Sequence, residues 1–172
     1  MSENQTLSPG DLEEFMQEND IPGEILHLDV PTPTVISAAQ AVGTDPETIV
    51  KSILFFVGDQ SVLTITCGPA FVERRAISTY FNIGRKRVKL ADPDRVLEET
   101  GYHVGAMPPF GHHLPLRTLI DKRVLGKDHI YAGGGSDQTL LRITPQAILT
   151  ATQADILDLL NPPDPNPKNQ IG

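Results

Sequence analysis

The clearest alternation of apolar and polar positions lies near the middle of the chain. Ile49 to Val57 and Ser61 to Cys67 are two β-rich runs joined by Gly58-Asp59-Gln60, a connection with the length and chemistry of a hairpin turn. Helical spacing appears on either side. Ser8-Pro9 supplies an N-cap and a first-turn proline, and Leu12, Phe15 and Met16 follow at i, i+3 and i+4, predicting an amphipathic helix over 9–19 that Pro22-Gly23 ends. Residues 24–30 read as a short strand, and an Ala-rich helix over 34–42 closes on Gly43. Pro69 is expected to open a helix over 69–82 with Val72, Ala76, Tyr80 and Phe81 on its buried stripe and Gly84 as its stop. A strand over 86–90 comes next, then a helix that Asp92-Pro93 begins and Gly101 closes.

From Gly101 to Pro115 glycine and proline are too frequent for either period, so this stretch is a shaped loop, and loops of this length usually have a function. Strands near 117–121, 129–132 and 138–143 flank Gly133-Gly134-Gly135, and Thr144-Pro145 caps a last helical region running to about residue 160. Residues 161–172 hold four prolines and read as a tail. Hairpins with helices inserted between strands predict an α+β fold: a mixed, mostly antiparallel sheet curled as a partial barrel with surrounding helices. At 172 residues the chain has room for one domain, placed over 1–160.

Composition narrows the class without naming a function. The chain is 39% hydrophobic and 21% charged, which excludes fibrous and disordered polymers, and it has no apolar run of membrane-spanning length and no secretion-like start. A single cysteine, Cys67, forms no internal disulfide, so a reducing, cytoplasmic setting is expected. The net charge of −8 argues against broad coating of nucleic acid, yet no Lys or Arg precedes Lys51 and most basic residues follow it. Arg85-Lys86-Arg87-Val88-Lys89 is the densest basic stretch, either a solvated face or a surface that meets a phosphate chain.

Lys51 stands out because strand alternation sets it on the face of Ile49, Ile53, Phe55 and Val57. Either its methylenes pack while the charge reaches water, or it is a fixed cation for phosphate or carboxylate. The run Gly105-Ala106-Met107-Pro108-Pro109 is either a rigid connector or a holder of amides aimed into a pocket, since glycine permits close backbone approach and proline removes donors. Gly133-Gly134-Gly135 lacks the Lys-Ser/Thr ending of a P-loop and reads first as a turn, with Thr139 able to line a neighbouring pocket. His103, His112 and His113 lack the companions and spacing of a zinc site, so no metal and no cofactor are expected. Cys67 reads as a small buried apolar residue, and no Gly-x-Ser-x-Gly elbow supports a serine triad.

Val50-Lys51-Ser52-Ile53-Leu54, the run Gly101 to Gly111, and Tyr131-Ala132-Gly133-Gly134 before a strand, in that order, together resemble the YbaK/ProX family. That family comprises free-standing aminoacyl-tRNA deacylases and the editing domain inserted in bacterial prolyl-tRNA synthetase. Lys86 to Pro93 is similar to the family as well, and the likeness runs from about Thr34 to Ala154. The resemblance implies hydrolysis of the ester joining a wrong amino acid to the 3′-terminal adenosine of tRNA, assisted by the substrate's own 2′-hydroxyl. It implies Lys51 and Gly105 as catalytic residues, Lys51 holding the terminal phosphate or carbonyl region and Gly105 with its neighbours offering amides to the ester oxygen. Ser52, Ala106, Met107, Pro109, His112, Ala132, Gly133, Gly134 and Thr139 are implied to bind substrate, with Pro109 fixing the loop and His112 touching the adenosine. The cysteinyl-type deacylases commonly carry Ser at the position of Ala132 and Asp at that of Thr139, so a small amino acid is only a class expectation here. The implied partners are the aminoacyl-tRNA acceptor end and an aminoacyl-tRNA synthetase. Two other readings stay open: a non-catalytic tRNA- or synthetase-binding module of the same fold, and a small-molecule hydrolase or nucleotide binder using the glycine turn.

Overall fold

The computed structural model describes residues 5–160; the 161–172 tail expected from the sequence lies outside them. In chain order the elements are α1 (Pro9–Glu18), β1 (Glu24–His27), α2 (Val35–Val42), β2 (Val50–Val57), β3 (Gln60–Cys67), α3 (Arg74–Phe81), β4 (Val88–Leu90), α4 (Pro93–Thr100), β5 (Arg117–Asp121), β6 (Ile130–Gly133), β7 (Thr139–Ile143), α5 (Pro145–Thr152) and β8 (Asp155–Leu157). The α+β expectation holds. One sheet has the order β4-β2-β3-β5-β8 and the other β1-β7-β6. The strand pairs are antiparallel except β3 with β5 and β5 with β8.

The central hairpin turns on Gly58 and Asp59, with Gln60 already in β3 opposite Val57. Gly58 takes a left-handed φ of +59°, which suits a tight two-residue connection. The outer edge of β2 has two partial neighbours. At its far end Phe55–Val57 pair with β4, and just before its near end Ile49 makes a single parallel bridge to Tyr131 of β6. That bridge joins the two sheets, which do not close into a barrel. Between these contacts the edge around Lys51 and Ser52 has no strand neighbour among the described residues.

Alternation along β2 divides the core. Val50 and Leu54 join the larger cluster with Leu12, Met16, Leu63, Ile65, Met107, Phe110, Ala132 and Ile148. Phe55 and Val57 join a second cluster with Val62, Ile77, Leu119 and Leu159. Ile49 belongs to a small third cluster with Ala38, Ala39 and Leu140 beneath α2. The helix starts follow local chemistry. Ser8 and Asp11 form a reciprocal capping box on α1, Thr34 and Ser37 do so on α2, and Asp92 caps α4 before Pro93.

Two expected helices differ. The helix over 69–82 begins only at Arg74, because Val72 makes an antiparallel bridge to Leu160 and the Glu73 amide donates to Leu159 O (2.7 Å). It stops at Asn82, whose φ of +52° supplies the left-handed cap assigned to Gly84. Its buried positions are Ile77 and Ser78, whereas Tyr80 is exposed and donates to Asp155 (2.7 Å). The last helix ends at Thr152, where Gln153 turns left-handed (φ +55°), and the chain adds β8 beside β5.

Asp121 fastens this last strand region. Its carboxylate is fully buried, accepts from the Leu159 amide (2.7 Å) and the Arg123 amide (2.9 Å), and pairs with the Arg123 guanidinium at 3.1 Å. Replacing Asp121 by Ala leaves the buried Leu159 amide without its acceptor and is expected to cost about 1–3 kcal/mol in urea unfolding. Asp158→Ala, which removes an exposed partner of the same arginine, should leave the midpoint nearly unchanged.

Candidate functional site

Lys51 emerges from β2 at the uncovered edge. Its Nζ donates to Ala70 O (2.9 Å) and stands 5.9 Å from the centre of the Phe71 ring. Burial holds its pKa below the ordinary lysine value, opposed in part by Cys67 in its ionised form and by the carboxylate of Glu47. The hydrogen-bond acceptor is a neutral carbonyl, so the bond itself brings no opposite charge to the ammonium.

The loop after α4 is tied at both ends. Gly101 caps the helix at φ +86°, Thr100 Oγ1 donates to Val96 O and accepts from the Tyr102 amide, and the His113 amide returns to Thr100 O (3.1 Å). Phe110 stacks on Phe15 of α1 at 5.9 Å. His112 turns inward: its Nε2 lies 2.8 Å from Pro108 O, and a carbonyl only accepts, so Nε2 carries the proton. Burial pushes the imidazole pKa down to about 4 against the hydrogen bond to Pro108, and the nearby His113 adds to the fall. His112 is therefore a neutral brace of the loop at pH 7. Pro109 is buried behind it, while His103, Val104 and Gly105 form an exposed tip. Gly105 has φ +87°, and nothing lies within 4 Å of where a side chain would stand. The Ala106 amide is engaged by His103 O (3.1 Å).

The glycine turn receives this loop. The Gly135 amide donates to Ala106 O (2.9 Å), and a Cβ on Gly133 would collide with Met107 O. A Cβ on Gly134 would meet the backbone of Thr139 at 2.7 Å, so the turn is also folded tightly upon itself. Thr139 belongs to that turn, its hydroxyl accepting from the Ser136 amide (3.0 Å).

The Ile49–Tyr131 bridge relates these pieces. Lys51 lies two residues beyond Ile49 and Gly133 two residues beyond Tyr131, and strand alternation puts both on the face that the bridged pair shares. Alternation thus turns Lys51 toward the face on which the Ala106–Met107 backbone packs against Gly133. Ser52 and Ala132 point the other way: the Ser52 hydroxyl is buried without a partner, and Ala132 is packed in the larger core. Sequence reasoning missed Ala70 and Phe71, which it assigned to a helix; the Gly68-Pro69 break after β3 was the available signal. Cavities of about 410, 610 and 120 Å³ surround α1 and the far side of the loop, and Lys51 lines none of these three. Burial raises the pKa of Cys67, which keeps it a protonated thiol and a poor nucleophile. Among the described residues no three of His, Cys, Asp and Glu gather as a metal site.

Residues 29–151 match the family model described as the aminoacyl-tRNA editing domain. The chain belongs to that family. The match bears out the YbaK/ProX resemblance. The YwhH protein of Bacillus subtilis (strain 168) is 25% identical over 136 residues, which span 78% of this chain and 82% of that protein. The proline–tRNA ligase of Thermotoga neapolitana is 27% identical over 113 residues, 64% of this chain but 19% of the ligase. A crystal structure of a candidate trans-editing enzyme for prolyl-tRNA synthetase superposes with a TM-score of 0.83 at 28% identity, covering 90% of this chain and 97% of that one.

Two outcomes test the packing of this editing domain. Because His112 titrates near 4 when folded and near 6.5 when free, the unfolded chain binds its proton first as pH falls. The stability that neutral His112 contributes is whole above about pH 6.5 and shrinks toward pH 4, by on the order of 2 kcal/mol between pH 7 and 5. Urea unfolding at the two pH values should show a drop smaller by this amount in His112→Gln. Gly133→Ala must displace the Met107 carbonyl and is expected to lower stability by about 1–3 kcal/mol, read by thermal unfolding.

Proposed function

We propose that the chain is a trans-acting aminoacyl-tRNA deacylase that hydrolyses the ester of mischarged tRNA. The observation that carries this reading is a cation held by a neutral carbonyl on β2, beside the Ile49–Tyr131 bridge through which strand alternation turns it toward the braced loop with the open glycine tip. Family membership supplies the substrate class, and the likeness to the candidate trans-editing enzyme supports the trans-acting reading. A prolyl-tRNA synthetase is the proposed companion, and the cytoplasm the proposed setting.

In this reading Lys51 binds a phosphate at the 3′ end of the tRNA, its positive charge serving the ligand because Ala70 O neutralises none of it. The exposed tip presents the Gly105 amide to the ester carbonyl oxygen. Water adds to the carbonyl carbon, negative charge develops on that oxygen, and donors fixed in advance stabilise it without reorganising. The bond from carbon to the ribose oxygen then breaks, one proton of the water passes to that oxygen, and the amino acid leaves as carboxylate with the water's other proton released to solvent. An aminoacyl ester is already activated, so positioning replaces a strong protein base, and the vicinal ribose hydroxyl of the substrate is the proposed proton relay. His112, neutral and bonded to Pro108 O, acts as a positioning residue, as does Pro109.

A panel of mischarged tRNAs should yield at least one that the protein deacylates, and Lys51→Ala should reduce kcat/KM on it about 10- to 100-fold, the worth of one charged hydrogen bond. Equal rates for mutant and wild type would remove Lys51 from the site, and binding without turnover across the whole panel would replace this reading with a non-catalytic binding module.

A further inference from the structure

Phe71 stands beside the Lys51 ammonium without a part in the proposed ester chemistry. It is 57% exposed, a large apolar ring on a short connection between β3 and α3. A single exposed apolar residue is ordinary on any protein surface. Three features set this one apart. The connection is clamped on both sides of the ring, by Lys51 Nζ on Ala70 O (2.9 Å) before it, and by the Val72–Leu160 bridge and the Glu73 amide on Leu159 O (2.7 Å) after it. The ring lies 5.9 Å from Nζ, so the proposed phosphate-binding charge and the aromatic surface share one mount. Beyond it α3 opens with exposed Arg74 and Arg75, which extend positive potential away from the ring.

We propose that Phe71 is the stacking platform for the base of the 3′-terminal nucleotide of the substrate tRNA. The inference rests on the deacylase reading and extends it to the residue that positions the reacting end. A single-stranded end bound by one ammonium can swivel about its phosphate, and a swivelling ribose would carry the ester away from the Gly105 tip. A base seated on a fixed ring beside the same ammonium removes that freedom, because stacking and the phosphate contact together define the orientation of the ribose between them. An exposed aromatic on a rigid backbone loses little freedom when a base covers it. The stacked ring also stays beside Lys51 Nζ, so both groups act on neighbouring parts of one nucleotide.

The chain contains no tryptophan, so Phe71→Trp introduces a single reporter at the proposed contact. An RNA acceptor-stem hairpin ending in CCA should quench this tryptophan saturably, and the same hairpin with its terminal base removed should not. Phe71→Ala should weaken binding of the CCA hairpin about 5- to 100-fold, the usual worth of one stacked base, whereas Phe71→Tyr should retain it. In deacylation Phe71→Ala should raise KM more than it lowers kcat. Equal quenching by the two hairpins, equal affinity of Phe71→Ala and wild type for CCA, or no binding of the CCA hairpin would overturn the proposal. A protein that shows base-dependent quenching but deacylates no charged tRNA keeps the stacking role and loses the deacylase reading. A protein that deacylates with Phe71→Ala at wild-type affinity keeps the deacylase reading and loses the stacking role.

Discussion

The seating of one backbone segment on another decides the shape of this molecule's open face. The Ala106–Met107 backbone rests against the glycine turn so closely that Gly133 has no room for a Cβ, and the Gly135 amide bonds to Ala106 O. Contacts between backbones leave little slack, because neither partner has rotamers to adjust. The loop tip is consequently fixed relative to β6, and the Ile49–Tyr131 bridge fixes β6 relative to Lys51. A chain of short-range constraints brings together groups that lie more than fifty residues apart in sequence. The inward His112 and the Phe15–Phe110 stack hold the loop from behind.

The electrostatics suit a local anion site on an acidic protein. The total charge of −8 gives no general attraction to RNA, so affinity must arise where charge is concentrated and left unpaired. Lys51 fits that description, since a neutral carbonyl accepts its hydrogen bond and no carboxylate forms an ion pair with it among the described residues. Arg117 and Arg123 behave differently: both are paired with carboxylates at the end of the sheet, Asp155 in one case and Asp121 with Asp158 in the other. Their charge is spent on the sheet edge.

Much of this was readable from the sequence where chemistry is local. Capping residues, the two-strand hairpin, the glycine stops at Gly43 and Gly101 and the rigid loop after Gly101 follow from neighbours a few positions apart. The errors lie where distant segments prevail. Pro69 is a sound helix starter, but the bridge from Val72 to Leu160 keeps that stretch extended, and β8 exists because β5 offers it an edge. The same limit applies to the site. Lys51 and the Gly105 loop stood out by residue type, while the inward turn of His112 and the outward ring of Phe71 depend on carbonyls and strands that only the fold brings near.

These features place the catalytic demand on geometry and not on acid–base strength. Cys67 is buried with its thiol proton held more tightly, His112 is neutral and occupied, and Lys51 is engaged by a carbonyl, so none is poised to take a proton from water at neutral pH. A site of this kind suits a substrate that brings its own activation, as an aminoacyl ester does, and performs poorly on an ordinary amide, whose leaving group demands a strong acid. Discrimination then falls to how well the acyl group allows the ribose and carbonyl to sit in the fixed frame. A frame built from backbone contacts rejects misfit by strain instead of yielding to it, and under the proposed function selectivity would reside in how the acyl group fits between the cation and the loop tip.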